Sequence, residues 1–424
     1  MSLPAVPGRL RQAVRLLGSE GVAGLMHRAR RAAATRIAPP CQLQVGVSVQ
    51  DFRELAAITD QTPGEALPWR PGEPLRIGFV TVPPGPGSGG HTTIFRIATA
   101  LEAAGHSCTI YLRDLHGWDF DRHRATIREW WPWSTPEVRD FEAGVADAHA
   151  LFATNWQTAY WVGGSQAAGA RFYLVQDFEP SFYAAGSEYL LAESTYRFGF
   201  HGVTAGRWLA ELLTVEYGME ADAFDLGSDL EVYQRDESPG ADDLRSGVAY
   251  YCRPETPRRA HGLAMMSLEL FHRGHPEVPI HFYGSPVGRL PFPAVQHGLL
   301  DPPALNRLYN RCFAGLVLSA TNVSLVPLEM LAAGCVPVVN DADHNRSVLA
   351  NDQVAYARAT PHDLAQALSG LAMEARFRRP ARSVAASRSV AGVRWADAGA
   401  VVEEIVRLHV AGQHLDGGLR AARG

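Results

Sequence analysis

The sequence predicts an α/β protein of two parallel-sheet domains facing each other across a cleft, with a C-terminal helix that crosses back to the first domain. Three observations carry this. The chain has 424 residues with 46% hydrophobic content, more than one core usually serves. Short apolar runs of strand length alternate with helix-period segments in two successive series, separated by a polar stretch at 236–245. The segment 395–410 places Ala400, Val401, Ile405 and Leu408 on one helical face, long enough to reach another domain.

In the first series, a Pro-rich linker at 63–74 leads to a strand over 75–80, a Gly/Pro loop and a helix over 92–104 that ends at Gly105. A strand over 108–112 completes a βαβ unit, whose crossover helix shows a stripe of Ile94, Ile97, Ala98 and Leu101. The aromatic stretch 118–133 reads as irregular, and strands follow at 149–153, 172–175 and 202–204. The second series has strands at 248–252, 279–283, 315–318 and 336–339, with helices at 258–273, 303–311 and 324–333, the last closed by Gly334. The expected organisation is an N-terminal extension and linker (1–74), two Rossmann-like domains (75–235 and 236–394), and a crossover helix with tail (395–424).

Composition narrows the function classes. A formal charge of -5, with 20% charged residues, creates no field that gathers nucleic acid, and no zinc-finger or ribonucleoprotein spacing is present. All 39 basic residues are Arg, so phosphate binding by Lys is excluded. The cysteines Cys41, Cys108, Cys252, Cys312 and Cys335 have no metal-ligand or redox spacing and read as buried thiols of a reducing compartment. No apolar run reaches membrane-span length, and Arg9, Arg11 and Arg15 break the continuity a signal peptide needs. The expected location is cytoplasmic.

Ligands of open α/β sheets sit beyond the carboxyl ends of the strands, so motifs in the loops after strands mark the candidate site. The first is Pro86-Gly87-Ser88-Gly89-Gly90-His91-Thr92, between a strand and a helix N-terminus. There Gly89 and Gly90 permit close backbone approach to a phosphate or sugar hydroxyl, or simply make a tight turn; His91 either orients a ligand or caps the helix. The glycine spacing and the absence of an acid after the second strand exclude a dinucleotide fingerprint. The second is Arg253-Pro254-Glu255-Thr256-Pro257-Arg258-Arg259, whose guanidiniums suit a diphosphate and neutralise it as a leaving group, unless they form only a solvated turn. The third runs from Ser319 to Val339: Glu329 lies among Leu325, Leu328, Leu331 and Ala332, where a carboxylate needs ribose hydroxyls or a salt bridge as partner.

These motifs, in this order over residues 75–410, resemble the retaining GT-B glycosyltransferases of the glycosyltransferase-4 class, and within it the bacterial polysaccharide rhamnosyltransferases. Gly89-Gly90 with Gly105-His106 is similar to the family's opening. Arg253 and Arg258 fall where its Arg and Lys hold the diphosphate, and Glu329 with Ala333-Gly334-Cys335-Val336-Pro337-Val338 resembles its nucleotide-binding signature. The resemblance implies Arg253, Arg258 and Glu329 as catalytic, and donor binding by Gly89, Gly90, Arg259, Leu299, Asn322, Val323, Ser324 and Leu325. Backbone N–H groups of Val323, Ser324 and Leu325 would face the phosphates, and Gly298-Leu299 the base. Leu226-Gly227-Ser228-Asp229 resembles the interdomain hinge, and Gln176-Asp177-Phe178-Glu179-Pro180 the rhamnosyltransferase branch.

One departure stands out: the first of the family's two Glu, which have seven residues between them, is replaced by Thr321. The resemblance further implies a nucleotide-sugar donor, dTDP-rhamnose fitting best, as substrate rather than cofactor. Transfer would go to a saccharide or lipid-linked glycan with retention and no metal, while His91, Asn155, Asp177 and Glu179 orient the acceptor or sugar. The triplets Asp119-Phe120-Asp121 and Asp341-Ala342-Asp343 read as solvated turns rather than metal ligands. A noncatalytic nucleotide-sugar or polysaccharide binder and a nucleotide-sugar epimerase are the competing readings of the same architecture.

Residues 1–40 carry seven Arg against one acid, Glu20, with apolar residues at helical spacing. This basic amphipathic segment suits either a helix docked on the protein's own body or peripheral contact with the inner face of the plasma membrane. If the membrane contact is real, removing residues 1–40 abolishes co-sedimentation with anionic liposomes; equal binding of both forms excludes it.

Overall fold

The computed structural model describes residues 47–59, 67–114, 119–238, 240, 245–374 and 378–421; the segment 1–40 and Cys41 lie outside them. In chain order the first part comprises α1 (Val49–Thr59), β1 (Arg76–Thr81), α2 (Gly89–Ala103), β2 (Ser107–Leu112), α3 (Phe120–Trp130), β3 (Glu137–Asp140), β4 (Ala150–Ala153), α4 (Trp156–Gly164), β5 (Ala170–Val175), α5 (Ser187–Ser194), β6 (His201–Ala205), α6 (Arg207–Tyr217) and β7 (Ala221–Phe224). These strands form one parallel sheet in the order β3-β2-β1-β4-β5-β6-β7. Strands β1, β4 and β5 are buried along most of their length, with Arg76, Thr81 and Arg171 their polar residues, and Phe79, Phe152 and Phe172 stack across them with centroids 4.8 and 4.9 Å apart.

The second part comprises β8 (Gly247–Cys252), α7 (His261–Gly274), β9 (Ile280–Gly284), β10 (Val295–Gln296), α8 (Pro302–Arg311), β11 (Cys312–Val317), α9 (Val326–Ala332), β12 (Val336–Asn340), α10 (Asp343–Leu349), β13 (Ala355–Ala357), α11 (Pro361–Met373), α12 (Arg379–Ser389) and α13 (Trp395–Ala421). Its parallel sheet has the order β10-β9-β8-β11-β12-β13. Both orders reverse direction once, between β1 and β4 and between β8 and β11, and such a switch opens a crevice at the strands' carboxyl ends.

Several expected boundaries shift for identifiable reasons. The stretch 118–133 is not irregular: Asp119 accepts a hydrogen bond from the Asp121 N–H (3.1 Å) and caps α3, whose inner face buries His123 and Ile127. The helix expected over 258–273 is split, because Ala260 adopts a left-handed φ of 48° between a 3-10 turn at Pro257–Arg259 and α7. The helix expected from Ser324 starts at Val326, since Ser324 has a φ of 64°. The short strands β3, β7, β10 and β13 lacked a sufficient apolar run to announce themselves.

Helix α13 packs on α2 and so crosses back to the first sheet, as expected, but the buried face is Ala398, Val402, Ile405, Val406 and Val410, whereas Ala400, Val401 and Leu408 of the expected face are exposed. Where the chain passes between domains its two strands lie side by side: the Ser228 N–H donates to the Val393 carbonyl (3.1 Å). A Cβ on Gly227 would stand 2.6 Å from the Trp395 nitrogen, so only Gly permits this approach. Gly399 does the same for α13, where an added Cβ would lie 2.3 Å from the Ala100 Cβ. Ala ordinarily stabilises a helix over Gly by about 1 kcal/mol, but this overlap forces the helices apart and overpacking costs about 1–3 kcal/mol. Gly399→Ala therefore lowers stability in urea denaturation despite its better helix propensity.

Candidate active site

A cleft of about 380 Å3 lies between the carboxyl ends of the two sheets. It collects Gly89, Gly90, His91, Asn155, Asp177, Glu179, Arg253, Arg258, Arg259, Leu299, Ser324, Leu325 and Glu329. Asn322 and Val323 do not line it. These residues come from the loops and first helical turns after β1, β4, β5, β8, β10 and β11, the positions that parallel sheets reserve for ligands.

The glycine loop opens α2. Ser88 caps that helix, and its hydroxyl also meets His91 Nδ1 at 2.7 Å. His91 Nε2 lies 2.9 Å from the Val82 carbonyl, and burial lowers the imidazole pKa to about 4. The ring is therefore neutral, with Nε2–H donating to Val82 and Nδ1 accepting from Ser88. Both ring nitrogens serve to shape the loop, which corrects the expectation that they orient a ligand. Gln176 Nε2 donates to the Gly90 carbonyl (3.1 Å), and an added Cβ on Gly89 would be 3.9 Å from Ser324 Oγ of the other domain.

Asp177 is buried, and its carboxylate joins the domains. Oδ2 accepts from the Thr321 hydroxyl (3.0 Å) and lies 3.3 Å from Arg258 Nε; Oδ1 accepts from the Asn322 N–H (3.0 Å). Asn322 Nδ2 donates to the carbonyls of Gln176 (2.9 Å) and Ala205 (3.1 Å). Asn322 is thus an interdomain strut, its side chain taken up by protein partners, and the Val323 side chain belongs to the core. The Ser324 N–H is likewise taken by Asn322 Oδ1 (3.0 Å).

Arg258 lies with its guanidinium carbon 3.8 Å from the Phe182 ring centroid, and Arg253 pairs with Glu255 at 3.5 Å. Arg259 donates to the Asn322 carbonyl (3.2 Å); burial, followed by repulsion from Arg258, lowers its pKa. Asn155 caps α4, accepting from the Thr158 N–H (2.9 Å). Glu179 accepts from the Trp156 N–H (2.7 Å) and the Tyr173 hydroxyl (3.1 Å), so both oxygens already have protein partners.

Glu329 stands beside Asp229 and Tyr233, two residues that the motifs did not reveal as its partners. Burial and the Asp229 charge push its pKa up to about 8, against a hydrogen bond with Tyr233. Phe182 also lines the cleft unannounced, together with Trp130 and Trp133 of the aromatic stretch, Tyr251 near the end of β8 and Gln176 of the rhamnosyltransferase-like segment, none of them named as a site residue. Single aromatic and amide residues far apart in the chain carry no spacing that marks them. The two acidic triplets lie elsewhere: Asp119 caps a helix, and Asp341 is paired with Arg346.

Two domain models match the chain, the WsaF C-terminal domain over residues 246–369 and the WsaF N-terminal domain over 137–205. The O-antigen biosynthesis protein RfbC of Myxococcus xanthus is 33% identical over 236 residues, 53% of this chain; the chain spans 18% of that relative's length. Among solved structures, Anabaena Alr3699/HepE in complex with UDP and glucose superposes with a TM-score of 0.60 at 12% identity, covering 78% of this chain and 99% of that one. WaaG, a glycosyltransferase involved in lipopolysaccharide biosynthesis, gives 0.56 at 11% identity, covering 78% and 99%. An S. aureus TarM variant in complex with fondaparinux, alpha-GlcNAc-glycerol and UDP gives 0.65 at 8% identity, covering 79% and 99%. The fold is GT-B, the architecture of these glycosyltransferases. Among the described residues no helix is long and apolar enough to cross a membrane.

The buried carboxyls set a pH dependence. Burial raises Glu179 from 4.5 to about 8, the Trp156 N–H opposing, and Glu329 moves likewise. The folded state then holds more protons than the unfolded chain between these values, so this stabilisation is full below about 4.5 and is lost as pH rises towards about 8. Each carboxyl contributes a slope of up to about 1.4 kcal/mol per pH unit. Denaturation midpoints measured from about pH 5 to about pH 8 should fall with pH, and Glu179→Gln, which cannot ionise, should flatten that fall.

Proposed function

We propose that the chain is a glycosyltransferase of surface polysaccharide biosynthesis that moves a sugar from a nucleotide-sugar donor to a saccharide or lipid-linked saccharide acceptor. The observation that carries this is the convergence of Arg253, Arg258, the glycine loop at the start of α2 and Glu329 in one interdomain cleft. The WsaF domain matches and the RfbC relative support the polysaccharide context, and the UDP complexes of HepE and TarM support a nucleoside diphosphate donor.

In this reading Glu329 accepts from the ribose hydroxyls, and Arg253 and Arg258 bind the diphosphate. The bond between the anomeric carbon and the diphosphate oxygen breaks, the electron pair leaving with the diphosphate. The acceptor oxygen then bonds to the anomeric carbon on the same face, and its proton passes to the departing phosphate oxygen. The Arg pair stabilises the negative charge that develops, a role that suits metal-free transfer with retention. L-Rhamnose from dTDP-rhamnose is the donor we favour. Thr321 is turned away to Asp177, so Glu329 is the one carboxylate that described residues of the second domain contribute to the cleft lining. A second domain with a single carboxylate in the lining suits a sugar with one hydroxyl fewer. Action at the cytoplasmic face of the membrane belongs to the same proposal.

Arg258→Ala and Glu329→Ala should each lower transfer on the order of 100-fold, with folding checked by thermal melting, while EDTA leaves transfer unchanged. Near-normal turnover in either variant contradicts the site, and strict metal dependence contradicts the chemistry. A larger thermal shift with dTDP than with UDP supports the rhamnosyl donor. Donor binding without transfer or hydrolysis identifies a binding protein instead, and an epimerised free nucleotide sugar, seen by NMR, identifies an epimerase.

A further inference from the structure

We infer that Trp133, held in place by Arg96 of the first domain, is a stacking platform for the donor's nucleobase, so that both domains grip the nucleoside. This rests on the nucleotide-sugar reading above and adds to it a base contact from the domain opposite the ribose carboxylate.

The first domain presents Trp130, Trp131 and Trp133 to the cleft. Trp131 is structural: it is 3% exposed, donates its indole N–H to Thr92 Oγ1 (2.8 Å) and packs edge-on against Phe95. Trp133 is only half-buried, and the Arg96 guanidinium carbon stands 3.4 Å from its ring centroid. Arg96 is itself tied to Asp229 by an ion pair. The ring is therefore fixed on one face by a cation–π contact while the residue lines the cleft.

Position decides what stacks there. Asp229, the partner of Arg96, is close enough to Glu329 and Tyr233 for its charge to act on both. Trp133 is thus two side chains away from the carboxylate read as holding the ribose. Leu305, which also lines the cleft, is one helical turn before Tyr309 on α8, and Tyr309 lies 6.2 Å from the Tyr233 ring. Leu299 and Leu300 line the cleft as well, and an added Cβ on Gly87 of the glycine loop would be 3.2 Å from Leu299 Cδ1. The cleft that holds Glu329 thus has indole and Leu side chains in its lining besides the guanidiniums. A group with flat apolar faces, joined to a ribose, fits that surface, whereas an acceptor sugar must approach the anomeric carbon next to Arg253 and Arg258. Aromatic stacking on a base tolerates any base, so Trp133 supplies affinity, with base choice left to other groups.

The test uses calorimetric titration of the full chain with dTDP and UDP, and with inorganic pyrophosphate as a ligand lacking the base. Trp133→Ala should weaken nucleoside diphosphate binding on the order of tenfold, leave pyrophosphate binding and acceptor KM unchanged, and be largely rescued by Trp133→Phe. Thermal melting of both variants without ligand separates lost stacking from lost fold, and the Phe variant keeps the test informative if the Ala variant fails to fold. Unchanged nucleotide affinity in Trp133→Ala, or equal loss of pyrophosphate binding, overturns the platform. So does a raised acceptor KM with intact nucleotide binding. If the unaltered chain binds no nucleoside diphosphate, the donor reading fails as well; if it binds and Trp133→Ala binds equally, only the platform fails.

Discussion

The cleft depends on one buried carboxylate. Asp177 takes a hydroxyl and a backbone N–H from the loop after β11 and lies against Arg258 of the loop after β8, while it belongs to the loop after β5. Removed from water, this charge would be costly alone, so the loops that carry its partners are drawn to it. Asn322 reinforces the junction by donating to carbonyls at the ends of β5 and β6. The distance between the glycine loop and the arginines follows from this contact.

The same junction explains why the replacement at Thr321 is compatible with an intact site. A hydroxyl there is a donor, and Asp177 needs one; a carboxylate in its place would meet Asp177 as a like charge. At this position the hydroxyl serves interdomain attachment. Arg258 takes part in both, touching Asp177 on one side and lining the cleft on the other. Anything that binds Arg258 in the cleft acts on the contact between domains.

Much of the site was legible because its residues lie in loops that obey a rule of parallel sheets. Gly89 and Gly90, Arg253 and Arg258, and Glu329 were named from strand ends and a single charge in an apolar helix, and one cleft contains them all. Less legible were the residues that need a fold to meet. Asp229 and Tyr233 lie about a hundred residues before Glu329, and Trp133 reaches the cleft only through a helix that a run of charges concealed. His91 and Asn322 show the opposite failure: polar groups in the right loop can be used by the protein, His91 within its own loop and Asn322 across the domains.

By itself the sequence determined the two-sheet α/β class, the returning C-terminal helix and the loops that line the cleft, because apolar periodicity and strand-end glycines and arginines are local properties. Only the tertiary structure decided which of those polar groups are free for a ligand. That depends on which hydrogen bonds are already made, and the partners of Asp177, Glu179 and Glu329 are set by packing between segments that no local pattern connects.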